Sequence, residues 1–170
     1  MKLNLLTFSK DEAVSYLKRN KRPGQIYMKK FDVDVVFRKG KQDDEQISNV
    51  RYKEDHRPQK IYDKRLEAVV EKKNDIVTYR VTGKDEVYVL AKSGGVSLFD
   101  GISSKVKLGP KDSWWVITQN ATLEDGLVIA KDVVKDKEGN THYSIEAERD
   151  MPISEYLDKL ECLKRYMKKI

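Results

Sequence analysis

Between residues 76 and 145 the chain keeps returning to one pattern, short β-branched and aromatic runs separated by turn-forming residues. Ile76-Val77-Thr78-Tyr79-Arg80-Val81-Thr82, Val87-Tyr88-Val89-Leu90, Ser113-Trp114-Trp115-Val116-Ile117, Leu127-Val128-Ile129-Ala130 and Thr141-His142-Tyr143-Ser144-Ile145 all suit a pleated, half-buried surface. Gly83-Lys84-Asp85 between the first two runs and Lys137-Glu138-Gly139-Asn140 between the last two predict turns, and the first pair fits a hairpin. Helical spacing is confined to the two ends. Ser9-Lys10-Asp11-Glu12 has the form of a capping box ahead of Ala13, Val14, Tyr16 and Leu17, predicting a short helix that stops near Pro23-Gly24. Pro152 suits a first helical turn, and Ile153, Tyr156, Leu157, Leu160, Leu163, Tyr166 and Met167 form an apolar stripe that would pack on a sheet. Strands clustered between terminal helices predict an α+β fold with a compact mixed or antiparallel β core, and argue against alternating α/β.

Three further segments complete the expectation. Residues 25–38 alternate, with Ile26, Met28, Phe31, Val33, Val35 and Phe37, and predict one or two strands. Lys39 to Gln59 is polar and charged and predicts a mobile loop or arm, while 60–73, free of Gly and Pro, predicts a helix. At 170 residues there is room for one domain, or one domain with an arm. Charge is uneven: residues 1–74 hold 19 Lys+Arg against 12 Asp+Glu, and 75–170 hold 15 against 16, so a net +7 precedes a net −1. A soft boundary therefore falls near residue 74, with a basic segment able to attract nucleic acid, an acidic protein or an anionic membrane. A lysine-rich surface is the plainer reading, because no zinc finger, arginine-glycine repeat or aromatic RNA-binding signature accompanies the charge.

No apolar run approaches the ~20 residues of a membrane span, and the N-terminus reaches Asp11 and Glu12 without the features of a cleavable signal. A single cysteine, Cys162, and two histidines, His56 and His142, predict a chain made in a reducing compartment and offer no metal site. Cys162 lies off the helical stripe and reads as an ordinary thiol, and His56, near Pro58, as exposed.

Phosphate-binding, dinucleotide-binding and nucleophile-elbow motifs are all missing from the sequence. The run Ser93-Gly94-Gly95-Val96-Ser97-Leu98-Phe99-Asp100-Gly101-Ile102 is the most informative. Its glycines let backbone approach a ligand closely, and Ser97 follows on an extended segment; a glycine turn leading into a strand edge is the simpler reading of the same residues. Glu146 and Glu148 share a strand face, as paired catalytic carboxylates would, although a solvated strand end accounts for them more simply. Asp100 suits either steadying the glycine loop or binding a ribose.

Gly94-Gly95-Val96-Ser97-Leu98-Phe99-Asp100, Trp114-Trp115-Val116-Ile117, Leu123-Glu124-Asp125-Gly126-Leu127-Val128-Ile129, Thr141-His142-Tyr143-Ser144-Ile145 and Asp150-Met151-Pro152-Ile153-Ser154-Glu155-Tyr156, in that order, resemble the type VI secretion exported toxin two family over roughly residues 76–160. That family is similar in fold to ADP-ribosyltransferase toxins, and its members are intracellular toxins neutralised by a cognate immunity protein. The resemblance implies a toxin that uses NAD, made in the cytoplasm and exported without a cleavable signal into a target cell. It places Ser97 on an element implicated in toxicity, with Val96 where some members carry threonine, and His142-Tyr143 on a His-Tyr strand. Tyr79-Arg80 matches an early strand ending in Tyr-Arg, with Gln25-Ile26-Tyr27-Met28-Lys29 as a second counterpart.

Cleaving the nicotinamide–ribose bond builds oxocarbenium character, so the protein must hold the dinucleotide, stabilise positive charge and align a nucleophile. The resemblance then implies Arg80, Ser97 and His142 as catalytic residues, and Glu146 is the candidate catalytic carboxylate beside them. Arg80, Gly95, Ser97, His142, Tyr143 and Tyr79 would bind NAD, with Arg80 on a phosphate or ribose, His142 on a ribose hydroxyl and Tyr143, Tyr79 or Tyr88 as an aromatic wall. NAD hydrolysis, a non-enzymatic binding toxin and a basic nucleic-acid-binding protein stand as alternatives. An acidic immunity protein would complement the basic chain.

Overall fold

A computed structural model describes residues 8–20, 22, 24–52, 59–64, 66–72, 74–102 and 107–170. It is an α+β protein, built mostly of antiparallel strands with two α-helices. Helix α1 (Lys10–Arg19) starts on Ser9, whose side chain accepts from the Glu12 amide while Glu12 reaches back, completing the expected capping box.

A seven-stranded sheet forms the body, in the order β1 (Gln25–Met28), β9 (Leu127–Asp132), β10 (His142–Ala147), β7 (Gly95–Phe99), β2 (Val35–Lys41), β8 (Asp112–Thr118) and β12 (Met167–Lys169). Every pairing in it is antiparallel. A small second sheet joins β5 (Thr78–Tyr79), β6 (Tyr88–Val89) and β11 (Met151–Pro152), and β3 (Gln59–Asp63) pairs with β4 (Ala68–Lys72) as a separate hairpin. Helix α2 (Ile153–Glu161) leads into a 3-10 turn, Cys162–Tyr166, and then into β12.

Alternation along the strands sorts side chains to two faces. Val96, Leu98, Ile129, Tyr143 and Ile145 point to one, where they pack with Ile153, Tyr156, Leu160 and Leu163 of the C-terminal helical segment into the main core. The Tyr156 hydroxyl crosses that core to donate to the Ile145 carbonyl at 2.7 Å. A smaller cluster of Ala13, Val77, Tyr79 and Leu90 joins α1 to the small sheet.

The hairpin expected from 76–90 forms as β5 and β6, and the strand candidates at 113–117, 127–130 and 141–145 are β8, β9 and β10. Three local expectations need correction. The described residues of 60–73 lie in β3 and β4 and the turn after β3, with Tyr62 opposite Val69, in place of a helix. Here β-branched and aromatic residues find cross-strand partners, and Glu67 takes a positive φ in the connection. The loop expected from residue 39 is largely pinned: β2 runs to Lys41, Ile47 is fully buried, and the Arg51 amide donates to Asp75. The apolar stripe of the last helix extends beyond the helix itself, because Leu163 and Met167 reach the core from the 3-10 turn and β12. His56 and Pro58 lie outside the described residues. β1 and β2, from the basic N-terminal segment, are integral to the main sheet, so the charge boundary near 74 divides one sheet. Among the described residues, no helix is long and apolar enough to cross a membrane.

Candidate functional site

The face of the main sheet opposite α2 is lined with polar side chains at its centre. β7, β10 and β9 are neighbours there, and their register brings Ser97, His142 and Asp132 together from three strands. His142 Nε2 lies 2.9 Å from Ser97 Oγ, and His142 Nδ1 lies 2.9 Å from Asp132 Oδ2. The His142 side chain is 27% exposed and that of Asp132 23%, so the group is reachable from solvent. Phe99 leans on the imidazole with ring centroids 5.2 Å apart, and Gln25 Nε2 donates to Asp132 Oδ1 at 3.1 Å.

Four residues along β10 from His142, on the same face, sits Glu146. It is 0% exposed, which excludes the solvated strand end that its sequence context favours. Arg22, just ahead of β1, clamps it through two bonds, Nη1 to Oε2 at 2.6 Å and Nη2 to Oε1 at 2.9 Å. Ser144 also donates to Glu146, and Arg22 reaches the Lys92 carbonyl. Burial pulls the Arg22 guanidinium pKa down, but the hydrogen bonds and charge of Glu146 outweigh it, leaving Arg22 above its ordinary value. The ammonium of Lys92 rests 4.7 Å from the Tyr27 ring centroid at the edge of this face. Glu148, by contrast, is partly exposed and pairs with Lys29 at 2.8 Å.

Behind Ser97, on the core side, lies Arg38. Its Nη1 donates to the Ser97 carbonyl at 2.9 Å, and its Nε is buried without a hydrogen-bond partner among the described residues. Burial lowers the Arg38 pKa, against the opposing charge of Asp75.

The residues singled out from the sequence divide among four places. Ser97, His142 and Glu146 share the polar face. Tyr143 is on the opposite face of β10, fully buried against Phe31, with its hydroxyl donating to Asp32 at 2.5 Å; strand alternation forbids it from lining the same site as His142. Burial and the Asp32 carboxylate push its phenol well above the ordinary range. Tyr79 belongs to the small sheet, and Arg80 follows directly after it. Tyr79 donates to Asp150 at 2.5 Å and packs near Tyr88, and Arg80 reaches the Asp85 carbonyl at 3.1 Å. The guanidinium facing the polar site is that of Arg22.

Gly95 has its own explanation. A Cβ there would sit 2.0 Å from the Ile145 carbonyl oxygen and 2.8 Å from the Tyr156 hydroxyl, so the close approach it permits is to β10 and α2. Asp100 steadies the strand end: it accepts from the Thr141 amide at 2.7 Å and its own amide donates back at 3.2 Å. Cys162 is exposed, as expected of an ordinary thiol.

Sequence reasoning missed Asp132, Arg22, Ser144 and Arg38. The signal for Asp132 was available. Extending the Leu127–Ala130 strand by two residues around the 137–140 turn sets Asp132 beside His142. Nothing local marks Arg22 among so many basic residues, because its partner Glu146 lies 124 positions away.

No family model matches the chain, and neither does any curated protein.

Proposed function

We propose that this chain is a bacterial toxin of the ADP-ribosyltransferase type, which uses NAD to modify a cytoplasmic acceptor and is held in check by an immunity protein. The observation that carries the reading is the hydrogen bond between Ser97 and His142. The motif resemblance picks out these two residues 45 positions apart, and they meet at 2.9 Å on one face of the sheet.

The residues of that face suit such a dinucleotide in part. NAD supplies a cationic pyridinium leaving group on a ribose carbon. The partly exposed His142 ring and Ser97 hydroxyl offer hydrogen bonds to ribose hydroxyls, and Phe99 and Tyr27 offer aromatic surface on either side. Lys92 is exposed and able to meet a phosphate. The Glu146 carboxylate shares that face, with its charge balanced and its orientation fixed by Arg22. Arg80, Tyr79 and Tyr143 have no part in this arrangement, which rests on Arg22, Ser97, His142 and Glu146.

The test is inducible cytoplasmic expression of the wild type beside Ser97→Ala and His142→Ala, with cellular NAD and labelled ADP-ribose followed together. Growth arrest with label transfer, both lost in the two folded variants, is the expected result. NAD loss without transfer would make the protein a glycohydrolase. Unaltered toxicity of either folded variant refutes the site.

A further inference from the structure

The Ser97, His142 and Asp132 side chains are joined in a fixed order, hydroxyl to Nε2 and Nδ1 to carboxylate, each contact at 2.9 Å. A carboxylate has no proton to give, so the short contact with Asp132 requires the proton on His142 Nδ1. In the neutral ring Nε2 then carries a lone pair, and Ser97 Oγ–H is the group aimed at it. A hydroxyl within reach of a base that a third group holds in the right tautomer is the signature of an activated nucleophile. Gln25 adds to this order by donating to Asp132 Oδ1, leaving Oδ2 for the imidazole.

We propose that Ser97 is a nucleophile, with His142 as its general base and Asp132 as the positioning residue. Resting on the NAD reading above, the electrophile is the anomeric carbon of the nicotinamide ribose. Ser97 Oγ bonds to that carbon as the carbon–nitrogen bond breaks; nicotinamide leaves with the bonding pair, which neutralises its ring; and the hydroxyl proton passes to His142 Nε2. The resulting imidazolium is stabilised by Asp132. A nucleophilic group of the acceptor then attacks the same carbon, Ser97 Oγ departs and recovers the proton from His142, and the proton of the attacking group goes to solvent.

Two measurements on the full chain separate the nucleophile from its proposed substrate. The first is labelling by a fluorophosphonate, in which Ser97 Oγ would bond to phosphorus and expel fluoride, with nicotinamide release from NAD measured in parallel. Stoichiometric labelling of the wild type at Ser97 is expected, lost in Ser97→Ala and slowed about a hundredfold or more in Asp132→Asn. The second is the nitrogen-15 spectrum of the imidazoles, which is simple because the chain has two histidines. In the wild type His142 should carry its proton on Nδ1. In Asp132→Asn, with Gln25 holding the amide oxygen, the amide nitrogen faces the ring and drives the proton to Nε2, a change that a merely structural role for Asp132 would not produce. Nicotinamide release by a protein whose Ser97 ignores the fluorophosphonate overturns the nucleophile and leaves the NAD reading standing. Labelling at Ser97 without nicotinamide release keeps the nucleophile and removes NAD. An unchanged His142 tautomer in folded Asp132→Asn overturns the role of Asp132.

Discussion

Replacing Arg22 with methionine should unmask the cost of burying Glu146. The carboxylate is 0% exposed and the arginine side chain 27% exposed, so the pair is desolvated mainly on the glutamate side. Removing one partner of a buried pair costs roughly 3–5 kcal/mol, and the partial exposure of Arg22 puts Arg22→Met near the lower end, about 3 kcal/mol. Glu146→Gln keeps the shape and an acceptor for Ser144 but turns a charge-assisted clamp into a neutral contact, for about 2 kcal/mol. Once the charge is gone, the loss of Arg22 matters far less, so the double variant should cost about 3 kcal/mol. A coupling of about 2 kcal/mol follows, well above what independent sites show. Urea unfolding of the four proteins with a shared slope reads these values directly. Additive effects, with Arg22→Met costing under about 0.5 kcal/mol, would refute the claim that Glu146 depends on Arg22 for its burial.

Two further outcomes follow from particular contacts. Gly95→Ala should destabilise the protein by at least about 2 kcal/mol in the same assay, because backbone and the Tyr156 hydroxyl both occupy the space a methyl group needs. Asp112 is held down to about 2, from the ordinary 3.8, by its hydrogen bond from Lys41, the Gly109 amide and the nearby Lys39 charge. A depressed acid stabilises the fold above its unfolded pKa and loses that contribution as pH falls through the folded one. Wild type should therefore lose more stability than Asp112→Asn between pH 3.8 and about 2, and parallel acid unfolding curves would count against this.

What could be read from the sequence depended on how local the deciding forces were. The Ser9 capping box and the β5–β6 hairpin are written within a few residues of themselves, and both form as expected. The 60–73 segment misled because absence of Gly and Pro is a weak argument for a helix, and pairing of β-branched and aromatic residues outweighs it. At the site, Ser97 and His142 were visible as motif residues, whereas Tyr143 was assigned to the wrong face. Once β10 is extended, the residue after His142 must turn into the core, so period-two alternation alone argues against the pair acting together. Arg22 and Arg38 were invisible for a different reason: their partners are long-range, a carboxylate 124 residues away and a carbonyl 59 residues away.

The order of the main sheet also sets when the molecule can begin to work. Gln25 of β1 pairs with Asp132, 107 residues later, and the far edge closes only when β12 at the C-terminus lies down on β8. During synthesis Ser97 leaves the ribosome before its histidine, and β1 waits unpaired until β9 has been made. Contacts this distant in sequence slow folding, because loop closure must come before any reward. The polar face is therefore assembled as a unit, so a chain cut short before β9 and β10 carries the serine but neither the histidine nor the aspartate that line up behind it.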